Sequence, residues 1–189
     1  MYSDAKNKMV SIRAINNDFT IMSGSGFFVK SDTIVTNYHV VAEGSKSIYV
    51  TLYDGRVIKS TDVDYSLKHR DIAFITVIAD VEPVVLSDYL NVEELDEIMS
   101  IGNPLSLYWS ANHGYVSALR LAGDVDIPWI YADTKIIQHS ISSDGGSSGS
   151  AVFNKFGEVI GVHFCAMNES SGEFRFAVSS DYIREWLNQ

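Results

Sequence analysis

A single cysteine, Cys165, stands among 189 residues, so no disulfide can form within the chain. Secreted proteases of the digestive kind carry several disulfides, and one thiol reads toward a reducing compartment. Prolines number three, and there is no low-complexity tract and no repeat. That leaves no disordered tail beyond the first few residues. Positive charge is also scarce. Fourteen Lys and Arg face 24 Asp and Glu, a net charge of −10. A sequence-independent nucleic-acid binder needs the opposite sign, so nucleic acid is not an expected partner. No run of about 18 apolar residues is present, so no transmembrane helix and no membrane role is expected. Met1 to Val10 is polar and lacks the apolar centre of a signal peptide. Together these absences give a cytoplasmic location as the expectation, with a secreted or viral origin as the alternative. What remains is 46% hydrophobic and 20% charged. That composition suits a packed core, either one large domain or two small lobes sharing an interface.

Short strands dominate the pattern. Met9 to Ile15 and Phe19 to Met22 read as the first two, Ser23-Gly24-Ser25-Gly26 as a break, and Phe27 to Val29 as a resumption. Ile34-Val35-Thr36 is β-branched throughout, as strands prefer. Ile48 to Tyr53 stops at Asp54-Gly55, a hairpin-turn signal, and Arg56 starts the return strand. Asp71 to Ile78 is an apolar run led by an acid and reads as a buried strand. Ala79 to Glu97 is an acidic connector between halves of similar size. Beyond it, strands are expected at Glu97–Ile101, Tyr115–Leu119, Lys135–His139, Ala151–Asn154, Glu158–Ala166 and Phe174–Val178. Ser180 or Asp181 caps a final helix through Leu187. Many short strands with regular turns indicate sandwiches or barrels.

Three residues carry the candidate chemistry. The stretch Asp144-Gly145-Gly146-Ser147-Ser148-Gly149-Ser150 holds a serine among glycines, where a sharp turn can push an oxygen outward and gather N–H donors around it. By itself such a loop is equally a flexible Gly/Ser connection. His39 follows a β-branched strand and is the residue type that takes a hydroxyl proton near neutral pH. A lone histidine is more often structural. Asp71, at the mouth of its apolar strand, can fix a histidine's tautomer, or simply cap the strand. Asp62 and Asp64, in an alternating half-exposed segment, rank below it. The order His39, Asp71, Ser148 is one of the three known orders of the Ser-His-Asp triad. The other motifs fail. Position 150 is Ser, not the Gly of a nucleophile elbow, and Thr76 stands where a kinase catalytic loop needs Asn. There is no phosphate-loop lysine and no His-Glu-x-x-His.

These segments carry a resemblance. Gly24-Ser25-Gly26-Phe27, Val35-Thr36-Asn37-Tyr38-His39-Val40-Val41, Asp71-Ile72-Ala73-Phe74 and Gly146-Ser147-Ser148-Gly149-Ser150 resemble the chymotrypsin-fold serine peptidases, over roughly residues 20 to 185. Ile101-Gly102-Asn103-Pro104 and Gly114-Tyr115-Val116-Ser117-Ala118-Leu119 are similar to HtrA/Deg-type proteases. Ser148 to Asn154 with Glu158 to His163 is similar to bacterial glutamyl endopeptidases and viral 3C-like proteases. Glutamyl endopeptidases usually have Asn where Ser147 stands. HtrA proteases commonly continue into a peptide-binding domain, and with the sequence ending at Gln189 none is expected here.

The resemblance implies an all-β fold of two six-stranded antiparallel barrels with a short C-terminal helix. The expected division is a single peptidase domain over 1–189, with lobes at 8–80 and 95–180 and the helix at 181–189. It implies a serine endopeptidase with Ser148 as nucleophile, His39 as base and Asp71 as orienting acid. Gly146, Ser147 and Ser148 would form the oxyanion hole, with no metal or organic cofactor. A polypeptide substrate would add as a strand beside His163 to Met167. Ser143, His163, Phe164 and Cys165 would border the side-chain pocket. A histidine at 163 paired with a hydroxyl at 143 implies cleavage after Glu or Gln. Asp144 instead favours a basic side chain, and HtrA-like relatives prefer small apolar ones. The alternative is a protease fold that binds peptides or proteins without cutting them. Nothing in the sequence indicates the oligomeric state.

Overall fold

The computed structural model describes the backbone of residues 2–169 and 172–189, and the side chains of 4–164 and 174–189. Two antiparallel sheets form the molecule. The first has seven strands in the order β5-β4-β1-β2-β3-β7-β6. These are β1 (Met9–Asn16), β2 (Ile21–Lys30), β3 (Thr33–Thr36), β4 (Ser45–Leu52), β5 (Val57–Ser60), β6 (Val63–Asp64) and β7 (Ala73–Thr76). The second is a closed barrel ordered β10-β13-β12-β11-β8-β9. It is built from β8 (Glu97–Gly102), β9 (Ser110–Leu121), β10 (Lys135–His139), β11 (Ala151–Asn154), β12 (Val159–Glu169) and β13 (Gly172–Ser179). A short helix α1 (Tyr2–Asn7) precedes the first sheet, and α2 (Asp181–Leu187) follows the barrel.

The two-lobed, all-β arrangement with a short C-terminal helix is the one expected. In detail the first lobe has seven strands rather than six, and its ladder does not close. The expected return strand from Arg56 toward Tyr65 splits in two, because the chain turns at Ser60. The Ser60 hydroxyl donates to the Thr76 carbonyl (2.8 Å) and so ties the end of β5 to β7 across the seam. Two other expectations change. The stretch 23–26 is no break but the middle of β2. Its glycines are needed for close approach: a Cβ on Gly26 would sit 2.8 Å from side-chain atoms of Ile12 and Ile34, and one on Gly24 would sit 2.7 Å from Val40. Asp71 does not open β7. It ends a 3-10 turn (Lys68–Arg70) in the left-handed region, with φ 55° and ψ 37°, a conformation for which Asp is enriched among non-glycine residues.

The lobes share buried matter. One apolar cluster joins Phe27, Val35 and Phe74 of the first sheet to Ile101, Phe153 and Phe176 of the barrel. Trp186 of α2 stacks on Phe74 (3.8 Å between centroids, 11° between planes) and donates to Asp64 (2.9 Å). The Asp64 carboxylate is therefore engaged by Trp186 and by the Ser66 N–H, and His39 is not among its partners. The Asp62 carbonyl accepts from Thr76 N–H within the sheet.

Candidate active site

His39 lies in a 3-10 turn (Tyr38–Val40) that begins as soon as β3 ends. Two groups seat that turn on Asp71: the Tyr38 N–H (3.1 Å) and the Asn37 side-chain amide (3.0 Å) both donate to the Asp71 carbonyl. The Asp71 carboxylate then accepts from the His39 backbone N–H (2.9 Å) and faces the His39 Nδ1 (2.7 Å). Asp71 is 3% exposed, whereas the His39 side chain is 40% exposed. An ionised carboxylate can only accept, so it selects the Nδ1–H tautomer and leaves the His39 Nε2 lone pair free to act as a base.

The loop bearing Ser148 is shaped by its glycines. Asp144 to Ser147 is a four-residue turn closed by Ser147 N–H donating to the Asp144 carbonyl (2.9 Å), with Gly146 third at φ +98°. That is the type II pattern, whose third residue must take positive φ. The Leu105 N–H clamps the turn through the Gly145 carbonyl (2.7 Å). Gly149, at φ +87°, is pressed so close to Ser25 and Thr36 that a Cβ there would overlap the Ser25 carbonyl oxygen. Its N–H donates to the His163 carbonyl (2.8 Å), and the Ser148 carbonyl accepts from Ser25 N–H (2.8 Å).

These contacts bring the two lobes' candidates to one place. Gly24 packs between Val40, next to His39, and the Ser148 carbonyl, which a Cβ at 24 would approach to 3.0 Å. Among the described residues no hydrogen bond joins the Ser148 hydroxyl to His39. Such catalytic contacts commonly tighten only when substrate is bound. Ser147 does not belong with the oxyanion donors as expected, because its N–H is spent closing the turn. Its hydroxyl accepts from Asp144 N–H (3.1 Å). The Gly146 and Ser148 N–H groups enter no hydrogen bond among the described residues.

Sequence reasoning missed two supporting side chains. The Ser25 hydroxyl donates to the Gly146 carbonyl (2.8 Å) and accepts from Asn103 N–H (2.9 Å), and the Asn103 amide reaches Ser25 (3.1 Å) and the Val10 carbonyl (3.0 Å). Both are buried. Ser25 lies in β2 and Asn103 directly follows β8, each within a segment that already carried the resemblance, and that was the available signal.

Ser143 and His163 border one small polar cleft, together with Ser147, Ser150 and a residue not anticipated, His139. His163 is 5% exposed, and burial, then the charge of Arg175, then that of His39, push its pKa down to about 4. Phe164 is not among the residues that line this cleft. Alternation along β12 turns it the other way, into the core, where it is 2% exposed. The side chain of Cys165 lies outside the described residues. Past His163, β12 pairs only with β13 among the described residues, so its other edge is open beside the serine loop. The described residues include no cluster of His, Cys, Asp or Glu able to hold a metal ion.

The trypsin-like peptidase domain model matches residues 24–162. The chain belongs to that family. Its relatives are of HtrA type. A probable periplasmic DegP-like serine endoprotease of Halomonas elongata is 36% identical over 172 residues, covering 88% of this chain and 34% of the relative. The mitochondrial serine protease HTRA2 of Bos taurus is 36% identical over 176 residues, covering 89% of this chain and 36% of the relative. This peptidase domain thus spans about a third of the length of these curated relatives. Among solved structures, the HtrA-type protease AlgW with a tripeptide superposes with a TM-score of 0.84 at 23% identity, covering all of this chain and 62% of that one. The active form of the Rv3671c protease from M. tuberculosis gives 0.85 at 22%, covering 98% and 82%. The expectation of a cytoplasmic location is overturned by these relatives: those of Halomonas elongata and Hahella chejuensis are named probable periplasmic endoproteases. A single cysteine is compatible with an oxidising compartment, so its scarcity had no power to exclude one.

The glycines of the serine loop separate sharply in their expected tolerance. A Cβ on Gly145 meets nothing within 4 Å, whereas one on Gly149 collides with backbone in a left-handed conformation. Gly149→Ala is expected to cost about 3 kcal/mol, from overpacking and left-handed strain together. Gly145→Ala is expected to shift stability by less than about 0.5 kcal/mol. Denaturant unfolding of both variants checks this, and equal stabilities would contradict the packing described.

Proposed function

We propose that this peptidase domain is a serine endopeptidase acting through an acyl-enzyme. The observation that carries the reading is the double engagement of His39 by Asp71, at 2.9 Å to its backbone and 2.7 Å to its ring, beside a glycine-shaped serine loop. His39 takes the Ser148 proton as Ser148 attacks the peptide carbonyl, then returns it to the leaving amine. Asp71 holds the ring and stabilises the imidazolium that forms. The Gly146 and Ser148 N–H groups stabilise the oxyanion, at about 3 kcal/mol per donor. A water then repeats the sequence and releases the acid. The substrate chain binds as an added strand along the open edge of β12, where main-chain hydrogen bonds supply affinity and pockets select side chains.

The pocket reading assigns cleavage after Glu or Gln, with His163 and the Ser143 hydroxyl donating to the side-chain oxygen. Matched peptides bearing Glu, Gln, Lys or Val before the scissile bond test it. His163→Ala is expected to lower kcat/KM for the Glu or Gln peptide by about 1–3 kcal/mol, the size of a lost hydrogen bond to a buried polar group. A preference for Val or Lys that His163→Ala leaves unchanged would return His163 to a purely structural role.

A further inference from the structure

We propose that His139 is a positioning residue that fixes the tautomer of His163, so that His163 presents a ring N–H to the side-chain oxygen of the substrate. The proposal rests on the specificity reading above. It arises from a pair of rings in the barrel interior. His139 ends β10 and His163 lies in β12, with β13 between them. The rings meet across that strand, with centroids 5.2 Å apart and His139 Nε2 3.1 Å from His163 Nδ1. They are 3% and 5% exposed.

Both rings are neutral at pH 7, since burial pushes each pKa down. Beyond burial, His163 and then Arg175 of β13, the register partner of His139, lower the His139 pKa, and Arg175 and then His39 lower that of His163. Between two neutral rings, one nitrogen donates and the other accepts, which leaves two arrangements. If His163 Nδ1–H donated, the His139 proton would have to sit on its Nδ1. That atom is buried with no hydrogen-bond partner, so an N–H would be orphaned in the core, which folded proteins rarely tolerate. If His139 Nε2–H donates instead, its Nδ1 is left as a bare lone pair, and both rings hold the Nε2–H form that imidazoles of histidine intrinsically favour. The second arrangement is the one the packing selects. It makes the remaining nitrogen of His163 a donor, as an acceptor oxygen requires. The first would make it an acceptor and repel that oxygen. Acting through His163, His139 thereby decides the polarity of the pocket.

Nitrogen-15 NMR of the histidine-labelled domain at pH 7 reads the tautomers directly. The expected result is Nε2–H for both His139 and His163, with His163 neutral down to about pH 5, since a group with pKa near 4 is less than a tenth protonated there. His139→Phe fills the space without a donor, and His139→Gln supplies an amide N–H in its place. His139→Phe is expected to lower kcat/KM on the Glu or Gln peptide about 10-fold, the size of one misdirected hydrogen bond, and to move His163 off the pure Nε2–H form. His139→Gln is expected to restore both. Cleavage of a Val peptide should change less than about threefold in either variant, because no side-chain oxygen is recognised there. A wild-type spectrum with His163 protonated on Nδ1 overturns the proposal, as does an equal loss on Glu, Gln and Val peptides in His139→Phe. A wild-type spectrum as expected, with no Glu or Gln preference in the peptide panel, would leave the tautomer pairing standing and remove the specificity reading instead.

Discussion

Ser148→Ala is expected to lower kcat on a cleavable peptide by about a millionfold, leaving only the catalysis that oxyanion donors and binding supply. The fold should survive. The serine loop is held by backbone groups, Ser148 carbonyl to Ser25 N–H and Gly149 N–H to the His163 carbonyl, and none of them involves the hydroxyl. Thermal unfolding of the variant should therefore match the wild type within about 2 °C, the shift of well under 1 kcal/mol. Full activity would remove Ser148 from the mechanism. Ser147, whose hydroxyl is engaged by Asp144 N–H, would be the next residue to replace.

The second large effect is expected from Asp71→Asn, about a ten-thousandfold fall in kcat. The reason lies in the two contacts of the carboxylate. The His39 backbone N–H needs an acceptor, and the amide oxygen would take that place. The amide NH2 is then left facing His39 Nδ1, which the native carboxylate meets at 2.7 Å. A donor there forces Nδ1 to accept and moves the ring proton to Nε2, where it blocks proton abstraction from Ser148. The backbone contacts of Asp71 with Tyr38 and Asn37 run through its carbonyl and are untouched. Stability should thus fall far less than activity. A variant with near-normal turnover would show that the carboxylate does not select the tautomer of His39.

Much of the framework was legible because the sequence states it locally. The expected strands Lys135–His139 and Ala151–Asn154 stand at the bounds observed, and the final helix lies at Asp181–Leu187 as expected, although the Ser180 hydroxyl donates to the Ser87 carbonyl instead of capping it. What failed was what depends on contacts between distant residues. Gly24 and Gly26 read as punctuation, yet they are packing glycines inside β2, required by Val40, Ile12 and Ile34. Asp71 read as the start of a strand because the apolar run follows it, but the tertiary pull of Tyr38 and Asn37 on its carbonyl holds it in a turn. Ser147 was counted among the oxyanion donors by adjacency alone, and only the closed turn shows where its N–H goes. Phe164 was placed at the pocket by proximity to His163, although the same alternation that points His163 inward sends Phe164 to the other face. His139 carried the same signal as His163, a polar residue on the buried face of a strand. It went unread because nothing in the sequence places β10 two strands from β12.

The central claim is that Ser148 is a nucleophile activated by His39 and Asp71, and covalent labelling tests it most directly. A fluorophosphonate probe reacts only with an activated serine. Incubated with this domain and followed by peptide mass mapping, it is expected to give a single adduct on Ser148, absent in Ser148→Ala and strongly slowed in Asp71→Asn. An unlabelled chain would contradict the claim and identify a peptide-binding fold without catalysis, and an adduct on Ser147 would contradict the assignment of the nucleophile.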